Sequence, residues 1–158
     1  PVQFKKLWKL MYDTFKAKGV NNLIWVWTSE GYYQDEKDKS KTNDADWYPG
    51  DEYVDIIARD YYCKNLNTPY HSSLVQEYEE LRKITNGKKL ITLGECDAIP
   101  SLENMFTDGA MWSWVMPWYG QDADGVDYFN SVYNTSTFMK NFFGNKNIIT
   151  RDQVPSFK

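Results

Sequence analysis

An α/β fold built on a parallel sheet is predicted for these 158 residues by three observations. Four short apolar runs of strand character alternate with segments of helical periodicity. The first of these runs, Leu23-Ile24-Trp25-Val26-Trp27, is almost continuously apolar, as in a strand buried on both faces. No glycine-rich turn follows any of the four. Alternation of this kind implies right-handed β-α-β crossovers. The lack of a Gly-rich turn removes support for a dinucleotide or phosphate-loop site. The other common β/α architecture is the barrel, which places reactive groups at the carboxyl ends of its strands.

Each element has a local reason. Phe4, Leu7, Trp8, Met11, Tyr12 and Phe15 recur at helical spacing between Gln3 and Lys18, and Gly19 supplies a stop. The first strand, Leu23–Trp27, is followed by a polar and charged stretch, Thr28 to Asp46, expected to be a long surface loop. A second strand is expected at Tyr53–Ala58. Ser73 and Gln76 have the spacing of a capping box for a helix carrying Leu74, Val75, Tyr78 and Leu81, and Gly87 ends it. The third strand is Lys89–Leu93, and Ser101 caps a short helix through Phe106. A fourth strand is expected from Ala110 to about Val115, with helical turns around Tyr128–Tyr133 and Thr137–Phe143.

Composition narrows the function. With 18 Lys+Arg against 22 Asp+Glu and no basic run, nothing favours a nucleic-acid partner. No apolar stretch is long enough to span a bilayer. The aromatic fraction, 17% with 7 Trp and 12 Tyr, is the outlier. Such rings stack on sugar faces or fill a core. Cys63 and Cys96 exclude a disulfide scaffold but not a single bridge, and free, partly buried thiols are the simpler expectation. No metal or cofactor is expected. Asp122-Ala123-Asp124-Gly125-Val126-Asp127 has its glycine two positions too early for an EF-hand and reads as a solvated acidic turn. Asn134-Thr135-Ser136 fits a glycosylation sequon.

The strand ends hold Trp27, Asp60-Tyr61-Tyr62, Glu95 and Trp118. Acid, phenol and indole on one face suit a sugar site. Glu95 is the strongest single candidate, because a carboxylate directly after an apolar strand is costly to bury unless it is paired or used. A solvent-facing glutamate is the alternative.

Five ordered stretches carry a family resemblance. Asp46-Trp47-Tyr48-Pro49-Gly50-Asp51-Glu52-Tyr53-Val54-Asp55-Ile56 resembles the segment entering the sixth barrel strand of glycoside hydrolase family 26, mainly endo-β-1,4-mannanases. Leu23–Trp27, then Leu93-Gly94-Glu95-Cys96 with Ile99-Pro100, then Asp108–Trp114 through Trp118-Tyr119-Gly120 agree in order, and Ile148–Asp152 resembles the family's tail. The resemblance implies strands five to eight of a (β/α)8 TIM barrel, with 1–158 a partial catalytic domain cut from something longer. It implies Glu95 as the nucleophile of a retaining hydrolase acting on β-1,4-mannan. Tyr62 becomes the tyrosine contacting it, with Tyr61 the alternative if the register slips by one. Trp118 becomes the sugar-stacking floor, ahead of Trp112 and Trp114, and Trp27 and Trp112 join the substrate-binding set, with barrel packing the alternative for Trp112 and Trp114. A polysaccharide substrate further implies a secreted, periplasmic or cell-surface protein.

The sequence departs from the family in three places. The family's acid/base glutamate follows a histidine at the end of strand four, but the one histidine here, His71, precedes Ser72 and reads as a surface residue. The chain alone is therefore expected to be inactive. Asp97 stands where a small residue is usual, and Arg59 lies within a normally apolar strand. A half barrel would leave its first and last strands as open edges, which self-association or a first-half chain would cover. The alternatives are a non-catalytic carbohydrate-binding module, for which a β-sandwich is the usual fold, and an interaction domain using the Thr28–Asp46 loop.

Overall fold

The computed structural model describes residues 1–30, 43–63 and 68–156. Its elements run α1 (Val2–Ala17), β1 (Val26–Ser29), α2 (Asp44–Trp47), β2 (Ile56–Tyr61), α3 (Val75–Ile84), β3 (Leu90–Cys96), α4 (Leu102–Asp108), β4 (Val115–Pro117) and α5 (Ser136–Phe143), with 3-10 turns at Asp51–Tyr53 and Arg151–Gln153. The four strands form one sheet in the order β1-β2-β3-β4, every pair parallel. Sequential order with helical crossovers is the connectivity of a β/α barrel wall. The all-parallel sheet excludes the sandwich expected of most binding modules.

Register divides the side chains between two faces. Trp27 pairs with Ile57, and Ile57 with Ile91; Arg59 pairs with Leu93. All five are buried against the helices, together with Tyr61 and Leu81. Thr28, Ala58 and Thr92 pair on the opposite, inner face. Phe4 and Trp8 of α1 pack onto the core, and the Trp8 indole donates to the Tyr53 carbonyl at 2.9 Å.

Several elements sit further along the chain than their apolar runs suggest. The first strand begins at Val26 rather than Leu23, and the second covers Ile56–Tyr61, preceded by a 3-10 turn. Tyr53 turns aside because Trp8 and Tyr12 cover it. The fourth strand is Val115–Pro117, although Ser113 N–H already donates to the Ile91 carbonyl. Ser73 caps nothing: Leu74 occupies the N-cap in a left-handed conformation (φ 55°), and the Ser73 hydroxyl bonds Asp108 instead. Ser101 does cap its helix, accepting from Asn104 N–H at 3.2 Å. Residues around Tyr128–Tyr133 form bends rather than helical turns. Of the expected Thr28–Asp46 loop, residues 31–42 lie outside the described residues, while Thr28 and Ser29 belong to β1 and Asp44 opens α2.

Candidate active site

The sheet changes register at the point where chemistry is expected. Arg59 pairs with Leu93, but the next pair is Asp60 with Glu95, so Gly94 is an extra residue, a β-bulge. Simple alternation would send Glu95 outward with Leu93. The bulge turns it to the inner face beside Asp60 and leaves Cys96 buried outward, opposite Tyr61. A Cβ at the bulge would lie 2.7 Å from Asp60 Oδ1, so any other residue there would push that carboxyl aside.

Tyr62, two residues beyond Asp60, shares that face. Its hydroxyl donates to Glu95 Oε2 at 2.8 Å. Burial, and then the bond to Glu95, push the Tyr62 phenol well above its ordinary value, so it stays a protonated donor. A donor aimed at one carboxylate oxygen restricts the rotation of the group. Tyr61 is not an alternative partner. It faces the helices, 7% exposed, with its hydroxyl 2.7 Å from Thr68 Oγ1.

Asp60 is the sheet partner of Glu95. Burial first, and the Glu95 charge second, push its carboxyl up to about 7, against the lowering effects of Arg59 and of a hydrogen bond from the Glu95 backbone. Its Oδ1 is buried with no hydrogen-bond partner among the described residues. Two carboxyl groups thus share one small region, and burial opposes ionisation of the inner one.

Trp118 follows β4 directly, and its backbone N–H donates to the Cys96 carbonyl at 2.8 Å. Since Pro117 pairs with Cys96, the next residue turns to the inner side, where Trp118 is half-buried beside Tyr119. Tyr128 packs 5.9 Å from the Tyr62 ring. Tyr62, Tyr128 and Tyr133 with Asp97, Asp122 and Asp124 line a cavity of about 170 Å³.

Trp27 and Trp112 are not brought to this group. Trp27 is 2% exposed inside β1, edge-on to Tyr48 on the helix side. Trp112 is 5% exposed, edge-on to Tyr78 of α3, and its indole donates to the Ser73 carbonyl at 2.8 Å. Both serve packing. Asp60 was visible at the strand end but carried no assigned role, and Tyr128 gave no local signal because only the path of the loop after β4 delivers it.

The remaining motifs also find places. Asp122 Oδ1 accepts from the N–H groups of Asp124 and Val126 at 2.8 and 2.9 Å, and Oδ2 accepts from the Tyr133 hydroxyl at 2.5 Å. Among the described residues no group of three or more His, Cys, Asp or Glu is placed to hold a metal ion. Asn134 is fully buried, which removes the sequon as an acceptor for a glycan. His71 is not a plain surface residue: its Nδ1 lies 2.7 Å from the Ile99 carbonyl and its ring stacks on Phe138. Cys63 and Cys96 are free and buried. Among the described residues no helix is long and apolar enough to cross a membrane.

Comparison with known proteins agrees with this geometry. The model of glycosyl hydrolase family 26 matches residues 1–153. A mannan endo-1,4-beta-mannosidase of Thermothelomyces thermophilus is 29% identical over 100% of this chain and 28% of its own length. Mannan endo-1,4-beta-mannosidase B of a Piromyces species is 28% identical over 99% of this chain and 24% of its own. The chain therefore spans less than three tenths of the length of the curated relatives it matches. Among solved structures, a ruminal endo-beta-1,4-mannanase of family 26 superimposes with a TM-score of 0.78 at 28% identity, covering 98% of this chain and 31% of that one. A beta-mannanase from a symbiotic protist of the termite Reticulitermes speratus, complexed with gluco-manno-oligosaccharide, gives 0.72 at 30% identity, covering 97% and 42%. With a parallel β/α sheet similar to those mannanase barrels and a family match over nearly its whole length, the chain belongs to glycosyl hydrolase family 26.

Proposed function

We propose that this chain supplies strands five to eight, the nucleophile half, of a retaining β-1,4-mannanase barrel. The observation that carries the proposal is the Tyr62 hydroxyl 2.8 Å from Glu95 at the carboxyl ends of adjacent parallel strands. Glu95 attacks the anomeric carbon through an oxocarbenium-like transition state, and the leaving sugar departs as its glycosidic oxygen gains a proton. The proton comes from a second carboxylic acid about 5–5.5 Å away, which then activates the water that releases the glycosyl-enzyme. In this reading that acid belongs to barrel strands outside these 158 residues, so the chain alone turns over no substrate. Tyr62 holds the ionised nucleophile in its attacking rotamer and yields as negative charge leaves Glu95. Trp118 forms the floor beneath the reacting sugar.

Asp60 fixes the Glu95 backbone rather than acting as the acid, because it accepts from that backbone and its Oδ1 is buried. The edges of β1 and β4 have no further strand among the described residues, and the remaining barrel strands cover them. A polysaccharide substrate places the enzyme outside the cytoplasm.

The test is hydrolysis of β-1,4-mannan by the full-length protein, with the product anomer followed by proton NMR. Retention is expected, with turnover falling about 10³-fold or more in Glu95→Gln. Inversion, or a Glu95→Gln variant of undiminished rate, would remove the reading.

A further inference from the structure

Behind the Tyr62–Glu95 pair lies a buried polar hub that the reaction itself does not use. Asp97 and Asn134 are both fully buried. One Asp97 carboxylate oxygen accepts from two backbone amides, Cys63 N–H at 2.9 Å and Ala98 N–H at 2.6 Å. Asn134 accepts from Ile99 N–H at 2.9 Å and donates to the carbonyls of Asp97 at 2.6 Å and Tyr128 at 2.8 Å. A buried carboxylate and a buried amide are each costly unless satisfied, and here both are engaged at short range.

The partners identify what the hub joins. Cys63 follows Tyr62, Asp97 lies two residues beyond Glu95, and Tyr128 is the ring packed on Tyr62. Three chain segments far apart in sequence are thus fixed to one another next to the reactive pair. A primary amide alone offers two donors and an acceptor at this length. Aspartate at 134 would lose both donors and set a second negative charge beside Asp97.

We propose that Asp97 and Asn134 are positioning residues that set the separation and orientation of Tyr62 and Glu95 by tying the ends of β2 and β3 to the loop after β4. The consequence for turnover rests on the function proposed above; the brace itself does not. Positioning predicts a loss in kcat with little change in KM, since both side chains are fully buried and spend their polar atoms on backbone groups. A displacement on the order of 1 Å costs up to about 100-fold.

The experiment uses the full-length protein with Asp97→Ala, Asp97→Asn and Asn134→Ser. Asp97→Ala should lower kcat about 10- to 100-fold with KM within about threefold. Asp97→Asn retains an acceptor oxygen and should recover most of the rate. Amide hydrogen exchange of Cys63 and Ala98 should be slow in the unaltered protein and about tenfold or more faster in folded Asp97→Ala. A folded Asp97→Ala enzyme of unchanged kcat, or Asp97→Asn no better than Asp97→Ala, would overturn the proposal. If Asp97→Ala does not fold, an Asn134→Ser enzyme of normal kcat overturns it equally. If the unaltered protein hydrolyses no mannan, the functional reading fails. The brace is then judged by exchange alone, and unprotected Cys63 and Ala98 amides would reject it.

Discussion

Arg59 and Asp60 are neighbours on β2 yet occupy opposite electrostatic conditions. Arg59 points outward, fully buried, and is surrounded by Asp44 at 2.5 Å, Glu77 at 2.9 Å and Glu80 at 3.1 Å, with Ser29 accepting at 2.9 Å. Asp60 points inward, where it pairs across the sheet with another carboxylate, Glu95. One side of a single strand compensates its charge, and the other holds like charges together. Structural charges in proteins are paired, whereas groups held out of balance mark sites where chemistry is done. The cation that looked out of place in an apolar strand is therefore a fastener. It binds the end of β1 to α2 and α3, on the face away from the reactive groups.

Removing the compensated side should cost the most stability. Arg59→Leu leaves three carboxylates without their cation, and a loss of about 3–5 kcal/mol is expected in denaturant unfolding. A loss below about 1 kcal/mol would mean that solvent, not Arg59, neutralises the cluster. On the inner face the larger effect is kinetic. Tyr62→Phe removes the hydroxyl that donates to Glu95 and should lower kcat about 100-fold in the full-length protein, with melting temperature little changed. An unchanged kcat would show that Tyr62 only packs.

Asp60 sharpens the contrast through pH. Its carboxyl is raised to about 7 in the folded chain, above the unfolded value of about 4. The native state therefore keeps a proton that the unfolded chain releases across that window. Stability falls as pH rises from about 4 to 7, and Asp60→Asn should flatten the fall, gaining on the order of 1 kcal/mol at pH 8 after allowance for partial solvation. A pH-independent difference between the two proteins would contradict the assignment. The smallest effect belongs to Trp112. Trp112→Phe loses one hydrogen bond on the helix side, about 1 kcal/mol, and should leave KM for mannan unchanged. Trp118→Ala should raise it.

Much of this arrangement was legible in the sequence because its determinants are local. The apolar run before Glu95 and the doublet Tyr61-Tyr62 at a strand end already pointed to that end of the sheet, though only Tyr62 turns to the inner face. What was not legible depends on register. A single extra residue at Gly94 decides which way Glu95 points, and nothing in Leu93-Gly94-Glu95 announces it. Trp27 and Trp112 look like sugar-stacking residues until pairing with Ile57, or packing on Tyr78, assigns them to the helix side. Ser73 and Gln76 have capping-box spacing, yet Ser73 bonds Asp108, 35 residues away. Asp97 and Asn134 meet across 37 residues. Long-range pairs such as these leave no periodic trace.

The most direct measurement is covalent trapping of the full-length protein with a 2-deoxy-2-fluoro mannoside, followed by peptide mapping of the adduct. A glycosyl ester on Glu95, lost in Glu95→Gln and slowed in Tyr62→Phe, is the predicted result. An adduct on Asp60 or any other residue, or none in an enzyme that hydrolyses mannan, would contradict the assignment of Glu95 as the nucleophile.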